Sequence, residues 1–267
     1  MRNLCWRALV LLPALAGTVS FGQLTTNLIE VSDVWDFHDS YVFDTGIYAA
    51  DPPWYATNYA TGSGFWGSGQ GALWYDPSWV PCEGPGILGH LISFQNQPTL
   101  FRRTFLIPDG VGSSAVLRLR YIVDDGLVLY LNGRQVYFDN APAGPVTANS
   151  RARQTREAGC FINATLSVSN LFAGTNWIAA AVLQSSEPQS DVVFGLELDG
   201  VFQPALALAV EPPGGFRLSW PAVFEGYMLQ SKTNLDATSP WLSLPNQANP
   251  FMGSFENGAR LFRLAKP

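Results

Sequence analysis

The chain has 267 residues, of which 47% are hydrophobic and only 13% charged, with 25 Gly, 19 Pro and 9 Trp. That balance excludes a disordered chain, which lacks the aromatic and aliphatic surface to form a core. Its formal charge is -6, and no Lys/Arg cluster follows the N-terminal segment, which excludes the basic footprint of nucleic-acid or anionic-membrane binding. Neutral ligands or cations fit better.

The N-terminus reads MRNLCWR, then ALVLLPALAGTVS, then FGQ: a basic start, an apolar run too short to span a bilayer, and small residues at Ser20 and Gly22. This is the pattern of a signal peptide over residues 1–22, and it predicts an exported protein, secreted, periplasmic or at the cell surface. Cys5 lies before the apolar run, so it is not placed as the lipid-bearing cysteine of a lipoprotein. No later segment offers about 18 uninterrupted apolar residues, so no transmembrane helix is expected. After cleavage Cys82 and Cys160 remain, and in an oxidising compartment an even count points to one disulfide, the alternative being two separately buried thiols.

Residues 24–100 are rich in Trp, Tyr, Gly and Pro with few alternating runs, and read as long ordered loops over a sheet. The stretch GSGFWGSGQG has neither a strand-to-helix context nor a following Lys and also reads as loop. From Thr99 the period of two is plain: TLFRRTFLIP, SAVLRLRYIV, and LVLYLNGRQVYF, a hairpin about Asn132-Gly133, where both turn positions call for positive φ. Arg118 and Arg120 alternate with Leu117, Leu119 and Tyr121, giving that strand one wet face. FINATLSVS, NWIAAAVLQ and VVFGLELDGVF follow as strands, with Gly174-Thr175-Asn176 and SSEPQS as turns. Residues 204–213, with Glu211-Pro212-Pro213, read as a short stiff linker. Beyond it FRLSWP, GYMLQSKT, PWLSLP and ARLFRLAKP form a small β module over 214–267. The expected fold is all-β: a jelly-roll β-sandwich over 23–203 with a second, smaller C-terminal β domain.

The segments YDPSWVPCEGPGILGH, FRRTF, VDDGLVLYLNGRQVYFDNAP, GTNWIAAAVLQSS and QSDVVFGLEL together resemble a galactose-binding-like jelly-roll domain common in secreted proteins of verrucomicrobial and planctomycete bacteria, over roughly residues 27–202. The tail, with LSWP, GYMLQSKTNL, Trp241 and LFRL, is similar to a small C-terminal β module of exported proteins from the same bacteria. Neither resemblance implies a known reaction. One departure is visible: the members compared carry a His before the Gln of the penultimate strand, and here Leu183 precedes Gln184. A shorter resemblance links Val123-Asp124-Asp125-Gly126 to PA14-type lectins, where an adjacent aspartate pair holds a calcium ion that coordinates sugar hydroxyls.

That resemblance implies calcium at Asp124 and Asp125. Adjacent side chains on a strand point to opposite faces, so a shared ion requires a bend or an unusual peptide geometry. Calcium takes six to eight oxygens, and Asp139, Asn140 and Asp191 are the extra donors if their loops converge. The plainer alternative is that Asp-Asp-Gly starts a strand, with Asp bonding backbone and Gly at positive φ. Trp66 and Trp74, bracketed by Gly and Ser, are the rings most suited to stack on a sugar, against the alternative that they pack a core. His38 and His90 are the only histidines, and no zinc, phosphate-loop or serine-hydrolase pattern occurs. Asn163-Ala164-Thr165 fits a glycosylation acceptor, but it lies in an expected strand of a chain that resembles bacterial proteins, and is set aside. The function expected is a secreted, non-catalytic carbohydrate-binding or accessory protein, with Asp124, Asp125, Asn140, Asp191, Trp66 and Trp74 as ligand residues and calcium as the ion. The alternatives are a structural or adhesive envelope protein without a small ligand and, further off, a glycoside hydrolase using a carboxylate pair from Asp36, Asp39, Asp44, Asp51, Asp76 and Glu83.

Overall fold

The structure is a computed structural model that describes residues 23–38, 46–61, 65–76, 79, 81–82, 89–92, 97–111, 115–185, 191–255 and 260–267. The expected signal peptide, Asp39, Asp44 and Glu83 lie outside the described residues. The chain divides into two compact units, one over 26–107 and 113–201 and the other chiefly over 202–267.

The larger unit is built from β1 (Leu24–Ile29), β2 (Val34–His38), β3 (Trp66–Gln70), β4 (Leu73–Tyr75), β5 (Thr99–Ile107), β6 (Ala115–Asp124), β7 (Gly126–Leu131), β8 (Arg134–Asp139), β9 (Ile162–Val168), β10 (Gly174–Leu183) and β11 (Val192–Phe202). They form two antiparallel sheets. The first runs β1-β11-β6-β9, with β4 also on β11, and the second runs β3-β2-β5-β10-β7-β8. From β5 onward the chain changes sheet at almost every connection, in the winding of a jelly roll. The core between the sheets follows from the alternation: on β11 Phe194 stacks on Phe101 of β5 at 4.2 Å and meets Trp35 of β2 edge-on at 5.0 Å. Asn132 and Gly133 take φ of 49° and 80° in the β7–β8 hairpin, as their sequence demands.

The outward face of the second sheet is covered. Ile47 and Trp54, from the loop over 46–61, pack with Leu100, Val128, Tyr130 and Ala181, and Arg102 is sealed beneath the same loop, its guanidinium donating to the carbonyls of Tyr59 and Ala56. So part of the first hundred residues does lie as loop over a sheet, but four strands also come from it. Trp66–Gln70, expected as loop, is a strand paired with Val34–His38. Its glycines have a steric reason: a Cβ on Gly67 would lie 2.6 Å from the Phe37 ring, and one on Gly69 would lie 2.5 Å from the His90 ring. Gly174 keeps the positive φ of a turn, but Thr175 and Asn176 are strand residues paired with Leu106 and Phe105.

The smaller unit holds two three-stranded sheets, from β12 (Ala207–Glu211), β13 (Gly215–Ser219), β14 (Met228–Lys232), β15 (Leu242–Ser243), β16 (Phe251–Ser254) and β17 (Leu261–Ala265), in the orders β12-β13-β16 and β15-β14-β17. The expected linker is corrected here: Ala207–Glu211 is a strand of the small unit, hydrogen-bonded to Gly215–Ser219. Leu208 and Val210 keep the period of two, and Pro212-Pro213-Gly214 makes the turn.

Candidate functional site

The Asp-Asp-Gly motif sits where the chain passes from one sheet to the other. Asp124 ends β6, Gly126 begins β7, and Asp125 alone connects them, with a cis peptide between the two aspartates. The carboxylates then go separate ways. Asp125 is fully buried, and its Oδ1 and Oδ2 accept the backbone N–H groups of Arg156 at 2.5 Å and Ser185 at 2.8 Å. It holds two loops to the sheet corner. Gly126 is needed for close approach: a Cβ there would lie 2.8 Å from the Asn140 carbonyl, and its φ is not among the positive ones.

Asp124 meets different partners. On the first sheet Asp124 is opposite Val193, Val193 is opposite Trp74, and Val192 is opposite Tyr75. Asp191 therefore lies one residue before β11 and Asp76 one residue after β4, level with each other. Because side chains alternate with period two, Asp76, Asp191 and Asp124 share the outward face at the ends of three adjacent strands. One carboxylate oxygen from each lies within 4.8 Å of the other two. Asp124 is 2% and Asp76 5% exposed. The Oδ2 of Asp124 is buried with no hydrogen-bond partner, although its carboxylate accepts the backbone N–H of Ala158. Burial, then the negative charges of Asp191, Asp125 and Glu157, push the Asp124 carboxyl up to about 8.

Apolar side chains form a lid on the same face beside the carboxylates. Trp79 packs on Ala72, Ile122 and Val193, with Trp74, Ala158 and Phe161 beside them, and the backbone N–H of Trp79 donates to the Asp76 carbonyl at 3.3 Å. The expected disulfide joins Cys82 to Cys160.

The other expected ligand residues divide. Asp191 joins Asp124. Asn140 does not: its Nδ2 donates to the carbonyls of Asp125 and Gln154 and its Oδ1 accepts the Gln154 N–H, so it pins loops together. Asp139 pairs with Arg156 at 2.6 Å and accepts the Tyr121 hydroxyl at 2.6 Å. Burial of Asp139 works against its ionised form, but the Tyr121 and Arg156 contacts outweigh it and hold the carboxyl below its usual range. Trp66 and Trp74 are half-buried, packed on the two core clusters with their ring N–H groups buried, which corrects the expectation of exposed stacking platforms. Leu183, where a His was compared, is buried in the core. The carboxylate that sequence reasoning left in a general roll is Asp76. Its local signal is only an Asp after a three-residue strand, and what singles it out is the pairing of β4 with β11.

Among the described residues the donor set is oxygen alone, three carboxylates, which suits a hard cation such as calcium and not zinc. Three carboxylates offer up to six oxygens, within the number calcium takes.

No protein family matches the sequence, and no curated protein matches it either. Solved structures that align with it include a β-glucuronidase from an uncultured Clostridium sp., at 12% identity over 94% of this chain and 44% of that one with a TM-score of 0.37. A β-glucuronidase from Ruminococcus gnavus aligns at 9% identity over 94% of this chain and 43% of that one, with a TM-score of 0.39. The chain spans less than half the length of these enzymes.

Proposed function

We propose that the chain is an exported, non-catalytic carbohydrate-binding or accessory protein whose sandwich is completed by a calcium ion held by Asp76, Asp124 and Asp191. The observation that carries the cation is the unpartnered, buried Oδ2 of Asp124 among two further carboxylates. A buried carboxylate with one oxygen unpartnered and no counter-charge is unfavourable by several kcal/mol, roughly, unless it is protonated or bound to a cation. Asp125, the second member of the motif, acts as a clasp for two backbone amides instead of a ligand. The Cys82–Cys160 disulfide supports an oxidising compartment. Burial of Asp124 and Asp76 argues against catalysis at these carboxylates, since a glycosidase pair must flank a sugar in an open cleft.

The test is thermal unfolding of the purified protein at pH 8, in chelator and in millimolar calcium, beside a polysaccharide-binding panel. Calcium at 100 times its Kd should add about 2.7 kcal/mol of stability. An unfolding curve that calcium leaves in place would overturn the cation site. Calcium stabilisation with no polysaccharide bound would move the reading to a structural or adhesive protein.

A further inference from the structure

The same outward face continues past the lid as an open surface, and there its side chains line up in rungs across the strands. Asp199 is opposite Arg118, and Arg118 is opposite Thr165; one step along, Glu197 is opposite Arg120, and Arg120 is opposite Asn163. β1 adds Asn27, whose Nδ2 donates to Asp199 Oδ1 at 3.4 Å. These side chains line a groove of about 280 Å³ floored by the backbone of Leu119, Leu198 and Ala164, whose side chains point the other way.

Three features define what fits. The groove carries two guanidinium groups and two carboxylates, so it has no net charge to draw in a polyanion or a polycation. Arg120 is fixed, paired with Glu197 at 2.5 Å and held 4.5 Å from the Phe161 ring. Arg118 is exposed, and among the described residues its guanidinium makes no hydrogen bond or ion pair. A peptide would look for apolar pockets, which this surface does not offer. Sugar hydroxyls donate and accept at once, so a neutral chain satisfies carboxylate, amide and guanidinium together.

We propose that this groove docks a neutral polysaccharide, with Arg118, Asp199, Asn163 and Thr165 bonding its hydroxyls against the fixed Arg120–Glu197 pair. The proposal rests on the carbohydrate reading above, but not on the cation. Arg118 and Asp124 are six residues apart on one strand, about 20 Å.

Native electrophoresis of the purified protein through gels containing galactomannan, xyloglucan or mixed-linkage β-glucan tests it, with polygalacturonate and heparin as charged probes. Retardation by at least one neutral polymer is expected, weakened tenfold or more in Arg118→Ala and in Asp199→Ala, while both variants keep the wild-type calcium shift in thermal unfolding. Retardation by none of the neutral polymers, or by the charged probes only, overturns the proposal. Binding that survives both substitutions but disappears in chelator also overturns it and places the glycan at the aspartates instead.

Discussion

Along β6 and β11 one alternation of residues produces two unlike surfaces. At Arg118, Arg120, Glu197 and Asp199 the outward side chains reach solvent, and Arg120 pairs with Glu197 across the strands. Two residues further, at Ile122, Gly195 and Val193, the same face is closed: a Cβ on Gly195 would lie 3.1 Å from that of Ala72, and Trp79 packs over Val193. Beyond the closed patch three carboxylates end the strands. The difference teaches that periodicity decides which face a side chain takes, while segments far away in sequence decide whether that face is wet or buried. Burial in turn decides the chemistry, because the carboxylate at position 124, closed off from solvent, is pushed toward its protonated form.

The largest effect expected in the closed half is from the staple. Replacing Cys82 and Cys160 by Ala removes a link across 78 residues and should cost about 4 kcal/mol. Denaturant unfolding measures this, and calcium should then stabilise the variant less than the wild type, since Trp79 and Ala158, whose backbone N–H groups bond Asp76 and Asp124, lose a nearby covalent tie. If the calcium shift is unchanged, lid and carboxylates are independent.

Asp125→Ala comes next. It leaves the amides of Arg156 and Ser185 without their carboxylate, a loss of about 3 kcal/mol for two charge-assisted bonds. Calcium stabilisation should persist in this variant. Its loss there would return Asp125 to the ligand set.

Asp124→Asn should act in the opposite direction in chelator at pH 8, raising stability by roughly 1–4 kcal/mol. The pH dependence has the same origin. The Asp124 pKa is raised from 3.8 in the unfolded chain to about 8 in the folded one, so between these values the folded state holds a proton that the unfolded state has lost. Cation-free stability should therefore fall as pH rises through this window, by up to about 1.4 kcal/mol per pH unit from this group. Below the window the group contributes no slope. Urea unfolding at pH 5 and pH 8 in chelator, wild type against Asp124→Asn, reads the difference directly.

The smallest effect belongs to the open half. Arg118→Ala should change stability by no more than about 0.5 kcal/mol, as expected for an exposed side chain without a partner. A larger loss would mean that the rung is structural and not a surface kept for a ligand.

Much of the sandwich is written locally. The strands after Thr99, the Asn132-Gly133 turn and the wet face at Arg118 and Arg120 are readable because period and turn chemistry are short-range. The strand at Trp66–Gln70 is not, since glycines with low strand preference are chosen there to admit the rings of Phe37 and His90, which come from elsewhere. Val192–Phe202 is legible as a strand, yet its neighbours are not, and the meeting of Asp76, Asp124 and Asp191 depends wholly on β11 lying between β4 and β6. The motif drew attention to Asp124 and Asp125 together, but only the fold shows that one faces the other carboxylates and the other faces two amides. Likewise the composition around Trp66 and Trp74 looks like exposed loop, and it is the covering segments that bury their ring N–H groups.

The measurement closest to the central claim is calorimetric titration of calcium into the chelator-treated protein near pH 7, in two buffers of different ionisation enthalpy. The account predicts one calcium per chain, bound with release of about one proton because Asp124 is protonated beforehand, and no binding to Asp124→Asn. Absence of binding to the wild type, or binding that Asp124→Asn leaves intact, would contradict it.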